Sequence, residues 1–404
     1  MTATCTPRSP PARPPLELAA IIRRHRLDYV DHHGPLARDP HYVLDCVERC
    51  RTSKLGGHRR TCDRCQLTEQ AYNGCRNRHC NKCQAVARSR WLEARSRELL
   101  PVEYFHVVFT LPEPIAALAR QNAKQIYDLL FTAAKETLLE IAADPRHLGA
   151  TIGVLAVLHT WGQRLDFHPH LHCIVSGGGL SADQARWVAC RAGFFLPVRV
   201  LSAKFRGKFL SKLKKLHTQG KLTLAGPLAH LFQPRRFEQL LRAAYAIDWV
   251  VYSKPPFGGP QQVLKYLARY THRVAISNQR LISLEDGQVA FRYKDYARGR
   301  RLRTMKLTAV ELIRRFLMHV LPKGYVRIRQ FGFLANCHRA KKLKQIRQLL
   351  RVQEPAADPQ RDARSTEPLL VISPAIDPFA CPRCGGQLTF EQVFPEPPTP
   401  WDTS

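Results

Sequence analysis

Acidic side chains are scarce in this chain: 32 Asp and Glu stand against 63 Lys and Arg over 404 residues, a formal net charge of +31. No Asp/Glu constellation stands out among so few acids, which disfavours a carboxylate-based cut-and-paste nuclease. No apolar run approaches the ~18–20 residues that a membrane helix needs. Residues 1–15 are proline-rich and lack the apolar stretch of a secretory signal, so a cytoplasmic location is expected. No G-x-x-x-x-G-K-[ST] loop is present, which excludes a recognisable nucleotide-driven helicase. What the chain has instead is positive charge, which calls for a polyanionic partner, most commonly nucleic acid. It also has 13 cysteines, which without export read as metal ligands rather than as a disulfide framework.

The order of elements suggests a mixed α/β or α+β core. Residues 1–15 read as a disordered tail, and residues 16–100 as an N-terminal helix (from Leu16 to Tyr29) followed by a cysteine-rich module and a basic helix over 85–100. Residues 101–350 read as a larger domain. It would hold strands over Tyr104–Thr110, Thr151–His159 and His170–Ser176, and one or two helices over 115–142. A helix is expected over 261–272, with short strands near 274–277, 280–284 and 288–293. Residues 351–380 are expected to be a linker, and 381–404 a terminal Cys-x-x-Cys knuckle and tail.

Seven cysteines lie within residues 46–83, a segment with too few aliphatics to fold without metal. Cys62-x-x-Cys65 and Cys80-x-x-Cys83 are expected to complete one tetrahedral zinc shell, since each knuckle presents two thiolates from one turn. Cys50, His58, Cys75 and His79 are the candidates for a second site, with Cys46 left on a helix face. Arg76, Arg78, Arg88, Arg90 and Arg95 flank the last knuckle and suggest phosphate contact. Cys381-Pro-Arg-Cys384 is half of a further site, which Cys337 and His338 could complete.

His168-Pro-His170-Leu-His172 is the second cluster. Alternation along a strand puts His170 and His172 on one face, about 7 Å apart in Cα, where two imidazoles can grip one divalent cation. A third ligand is needed. Gln163, Asp166 and His159 compete for it, with Gln163 preferred. Tyr266 and Tyr270 share one face of a helix at spacing i, i+4. With Lys265, Arg269, His272 and Arg273 beside them, they could act in turn as nucleophiles on phosphodiesters. Basic stretches over 204–221, 292–306 and 339–351 are candidates for tracking a DNA backbone, with Phe205, Phe209, Tyr293 and Tyr296 as base-stacking partners.

The combination FTLP (109–112), HPHLH (168–172) and YLARYTHRVAI (266–276), together with YNGCRNRHCNKCQ (72–84) and FGFLANC (331–337), resembles the two-tyrosine rolling-circle transposases of the insertion-sequence 91 family. These belong to the histidine-hydrophobe-histidine endonucleases. One departure is Asn81, where proline is expected. The resemblance implies a central antiparallel sheet with flanking helices, preceded by a small zinc-ribbon-like module. It implies His170 and His172 as ligands of a catalytic Mg²⁺ or Mn²⁺, one or two structural zinc ions, and Tyr266 and Tyr270 as nucleophiles. The implied reaction nicks and rejoins single-stranded DNA at element ends and target through 5′-phosphotyrosine intermediates. Strand separation would then fall to a host helicase or the replication machinery. The competing readings are a rolling-circle replication initiator, which uses the same chemistry, and a non-enzymatic zinc-finger DNA-binding protein.

Overall fold

The computed structural model describes residues 16–191, 193, 195–254, 262–263, 275–296, 298–351, 380–381 and 383–394. The expected tail, nearly all of the linker, and the segment with Lys265, Tyr266, Arg269, Tyr270, His272 and Arg273 lie outside the described residues.

The chain is an α+β protein built on antiparallel sheets. The largest has six strands: β3 (Tyr104–Thr110), β4 (Ala150–Trp161), β5 (Phe167–Ser181), β6 (Trp187–Ala189), β7 (Val251–Lys254) and β11 (Ile328–Gly332). Their order is β11-β4-β5-β3-β7, with β6 pairing on β5. Alternation decides what each face does. Phe105, Val107, Phe109, Val154, Ala156, Leu158, Leu171, Cys173 and Val175 point to one face and form the main core. Four helices cover that face: α4 (Glu113–Gln121), α5 (Ala123–Ala143), α6 (Val198–Thr218) and α7 (Pro234–Ala246). The residues between them, Tyr104, Leu155, Val157 and Ile174, point to the other face and make a smaller cluster with Val263. The histidines alternate onto this second face.

A second unit packs α1 (Leu18–His33), α2 (Arg38–Arg49) and α8 (Ala309–Leu317) against a three-stranded sheet. Its strands are β8 (Leu281–Glu285), β9 (Gln288–Asp295) and β10 (Arg301–Thr308). Phe291, Leu312, Ile313 and Phe316 are fully buried there. Helix α8 starts on Thr308, whose side chain accepts from Glu311 N, an N-cap bond that satisfies one orphan donor of the first turn. The third sheet is small: β1 (Gly57–Cys62) lies between β2 (Thr68–Tyr72) and β12 (Leu388–Phe394). Helices α3 (Gln84–Ser96) and α9 (Arg339–Leu349) complete the described α-helices.

Strand β3 has the expected bounds, and β4 begins and ends within two residues of them. Strand β5 runs five residues beyond the expected end, through Gly177–Gly179. These glycines are needed for packing: a Cβ on Gly179 would sit 2.4 Å from Thr151 O, and one on Gly178 2.6 Å from Val188 O. The strand that follows the terminal knuckle joins the N-terminal sheet: β12 pairs with β1 from Cys62↔Leu388 to Gly57↔Phe394, with a shift of register between Arg59 and Arg60. Residues 275–277 form no strand.

Candidate metal centres and nucleic-acid interface

The histidine site grows out of the β4–β5 pairing. His159 lies directly opposite His170, and Val157 opposite His172. Three imidazoles from two strands therefore share one face, and His159, His170 and His172 each offer a nitrogen within 4.8 Å of the others. His170 Nε2 faces His172 Nε2 at 3.1 Å. The outer nitrogens have their own partners. His170 Nδ1–H donates to His168 O at 2.6 Å, which leaves Nε2 as the lone-pair nitrogen. His172 Nδ1 lies 2.8 Å from His106 Nε2, and the two rings stack at 5.1 Å. With His106 on the Nδ1 side of His172 and His168 O on the Nδ1 side of His170, both rings turn Nε2 toward each other. Three imidazole nitrogens grouped this closely are a donor set that fits a divalent ion. Burial holds His170 down at about 4, pushes His172 well below the usual histidine range, and lowers His106 to about 4. The rings are thus neutral at neutral pH, the form that ligates metal.

The expected third ligand, Gln163, has other partners. Gln163 sits in the β4–β5 turn, but its Oε1 accepts from Lys294 N at 3.3 Å and its carbonyl accepts from the Arg280 guanidinium. It ties the turn to β9, and the residue whose nitrogen lies with those of His170 and His172 is His159. Sequence reading also missed His106. It is diagonal to His172 across the β3–β5 register, in which His106 pairs with Ile174 and Val108 with His172. Only the register reveals that neighbour.

The cysteine partition is corrected as well. Cys62 and Cys65 do not join Cys80 and Cys83. Cys50, Cys75, Cys80 and Cys83 form one group, and Cys62, Cys65, Cys381 and Cys384 another. In the first, Cys50 Sγ is 3.5 Å and Cys75 Sγ 3.8 Å from Cys83 Sγ. Ligands about 2.3 Å from a tetrahedral zinc lie about 3.8 Å apart, so the spacing suits zinc, whereas a disulfide needs about 2.05 Å. His79 falls outside both cysteine groups. It is buried, its Nε2 accepts from Leu321 N at 3.4 Å, and burial lowers it to about 3. His58 packs on Phe390 across β1 and β12 at 5.1 Å between ring centroids. Cys337 and His338, the latter at the N-cap position of α9, fall outside the group that contains the terminal knuckle.

The basic stretches divide. On α6, Lys204, Lys208 and Lys212 pair with Glu136 and Glu140 of α5. Phe205 and Phe209 are wholly buried, so neither can stack on a base; sequence could not tell an inward aromatic stripe from an exposed one. Arg78 donates to the carbonyls of Pro322 and Tyr325, and Arg95 pairs with Glu98. The β9–β10 face is different. Register places Arg292 opposite Thr304, Lys294 opposite Leu302 and Ala290 opposite Lys306. Arg292, Lys294, Leu302, Thr304 and Lys306 are exposed, while Val289 and Phe291 on the other face are buried. Tyr296, beyond β9, is 56% exposed.

Residues 21–111 match the family model described as "Transposase zinc-binding domain", and residues 153–342 the one described as "Putative transposase". A protein of Sinorhizobium fredii named "Putative transposase y4qJ" is 50% identical over 397 residues, 97% of this chain and 100% of that one. The chain belongs to the insertion-sequence 91 transposases. The "Transposase for insertion sequence element IS801" of Pseudomonas savastanoi pv. phaseolicola is 28% identical, covering 84% of this chain and 80% of that protein. A solved structure of the conjugative relaxase TrwC in complex with oriT DNA covers 41% of this chain and 71% of its own at 16% identity. Its TM-score is 0.23, too distant a likeness to carry function. The zinc-binding domain contains all of the first cysteine group and only half of the second. Among the described residues no helix is long and apolar enough to cross a membrane.

Proposed function

We propose that this transposase nicks and rejoins single-stranded DNA, with Tyr266 and Tyr270 as the nucleophiles. The observation that carries the reading is the convergence of His159, His170 and His172 on one face of the sheet, in a family whose members move DNA. Supporting it, Val263 is buried against Tyr104, Leu155, Val157 and Ile174 on that same face, and Tyr266 follows only three residues later in the chain. Bound by the three histidines, Mg²⁺ or Mn²⁺ would polarise a phosphodiester and offset the charge that develops on it.

The protein's own groups supply the rest. His168 O fixes the ring of His170 and His106 that of His172, so both present the same nitrogen inward. A tyrosine Oη attacks phosphorus and loses its proton, the P–O3′ bond breaks, and the 3′-oxygen takes up a proton. The product is a 5′-phosphotyrosine and a free 3′-hydroxyl. Because the phosphodiester bond energy is retained, a later 3′-hydroxyl can reverse the step and rejoin strands. Lys265, Arg269 and Arg273 would hold phosphates beside the tyrosines. The exposed basic face of β9–β10, tethered to the histidine turn through Gln163, would carry the flanking strand; contacts of this kind position DNA without reading its sequence. The single strand itself would come from a host helicase or from replication.

The test is adduct formation. Wild-type protein with Mn²⁺ and labelled single-stranded element-end DNA should give a covalent protein–DNA species. The double variant Tyr266→Phe, Tyr270→Phe keeps the rings and should give none. Adducts from that variant would defeat the assignment.

A further inference from the structure

We infer that Cys62, Cys65, Cys381 and Cys384 bind a second zinc ion, which clasps the C-terminal segment onto the N-terminal module. The two halves are 316 and 322 residues apart in sequence at their closest sulfur pairs, yet Cys62 Sγ lies 3.4 Å from Cys384 Sγ and Cys65 Sγ 3.6 Å from Cys381 Sγ. All four sulfurs fall within 4.8 Å of one another. That mutual closeness separates a zinc shell from two disulfides, which would leave two short pairs and longer cross distances.

The two knuckles are built alike, each a turn prepared for a thiolate. In the first, Arg64 N–H donates to Cys62 Sγ at 3.4 Å and Gln66 N–H to Cys62 O at 3.2 Å. In the second, Gly386 N–H donates to Cys384 Sγ at 3.4 Å and Gly385 N–H to Cys381 O at 2.9 Å. Gln66 and Gly385, each just after its second cysteine, both have left-handed φ, 56° and 71°. Amide donors aimed at sulfur favour the charged thiolate that zinc requires. Gly386 is also confined: a Cβ there would lie 2.6 Å from Asp63 Oδ1 and 3.0 Å from Cys62 Sγ. Asp63 fastens the halves further, its Oδ1 accepting from Gln387 N at 2.9 Å and its N–H donating to Gln387 O.

Beyond the β1–β12 pairing and the Asp63 bonds, little apolar packing holds the two ends together. The hydrophobic cluster at this place is Cys62, Cys381 and Leu388, with Cys65 and Leu67 packed beside it. One buried leucine is a core too small to order two segments from opposite ends of a chain, so metal has to supply the missing stability.

The test counts zinc on the full chain purified under reducing conditions. Wild type should hold two equivalents, and Cys384→Ser one. Cys384 is exposed, so this change should spare the rest of the fold. Cys384→His, which restores a zinc donor, should return the count to two. A partner substitution, Cys50→Ser, should remove the other equivalent, so that Cys50→Ser with Cys384→Ser holds none. Two equivalents in Cys384→Ser would overturn the clasp, as would one equivalent in wild type with two disulfides found by thiol titration. None of these counts depends on whether the protein nicks DNA.

Discussion

Replacing His106 by alanine leaves every proposed ligand in place and removes only the partner of His172. In the structure His106 Nε2 meets His172 Nδ1 at 2.8 Å and the two rings stack with 9° between their planes. Without it, His172 is free to move its proton to Nε2 and to turn its ring out of line. Loss of such an outer partner weakens metal binding by about 10–100-fold, or about 1.4–2.7 kcal/mol. The assay is the Mn²⁺ dependence of adduct formation on single-stranded element-end DNA. The half-saturating Mn²⁺ concentration should rise by that factor, and the rate at saturating Mn²⁺ should recover to within a few-fold of wild type. An unchanged midpoint would show that His106 is only a neighbour. A rate that stays low at all Mn²⁺ concentrations, in a protein with wild-type circular dichroism, would show that His106 acts on the reaction itself and refute the orienting role.

Three further outcomes follow from the same geometry. His159→Ala should weaken Mn²⁺ binding by more than 100-fold, beyond the range of an outer partner, whereas Gln163→Ala should leave it within a few-fold; calorimetric Mn²⁺ titration separates them, and the opposite order would restore Gln163 as the ligand. Phe205→Ala should cost about 3–5 kcal/mol of stability in a denaturant titration, because it empties a fully buried site. By contrast, Tyr296→Ala should weaken binding of single-stranded DNA by about 1–3 kcal/mol, the loss of one ring stacked on a base, and unchanged binding would remove that role.

The pieces that sequence made legible are those written in local periodicity. FHVVFT announces β3, and the apolar run from Ile152 to Leu158 announces β4, because a strand buried on both faces needs apolar residues at nearly every position. His-x-His spacing put His170 and His172 on one face before any pairing was known. The misread parts depend on which distant segments touch. Cys-x-x-Cys says that two thiols face one way, yet says nothing of which other knuckle they face. His159 and Gln163 are both just upstream of His170, and only the β4–β5 register, with His159 opposite His170, decides between them. Likewise α6 looks like an exposed basic helix until α5 brings Glu136 and Glu140 alongside its lysines.

The pairing of β12 with β1 has a consequence for the order in which the chain is made. β1 emerges from the ribosome more than 300 residues before its partner, and at several residues per second that is a wait of some tens of seconds. Through that interval the N-terminal sheet has only β1 and β2, a two-stranded ribbon that is marginal alone and leaves the β12 side of β1 open. A message cut short, or a ribosome that stalls, therefore releases a chain whose first sheet stays open-edged. An open edge of that kind templates pairing with another chain, so β12 also shields the N-terminal sheet from association.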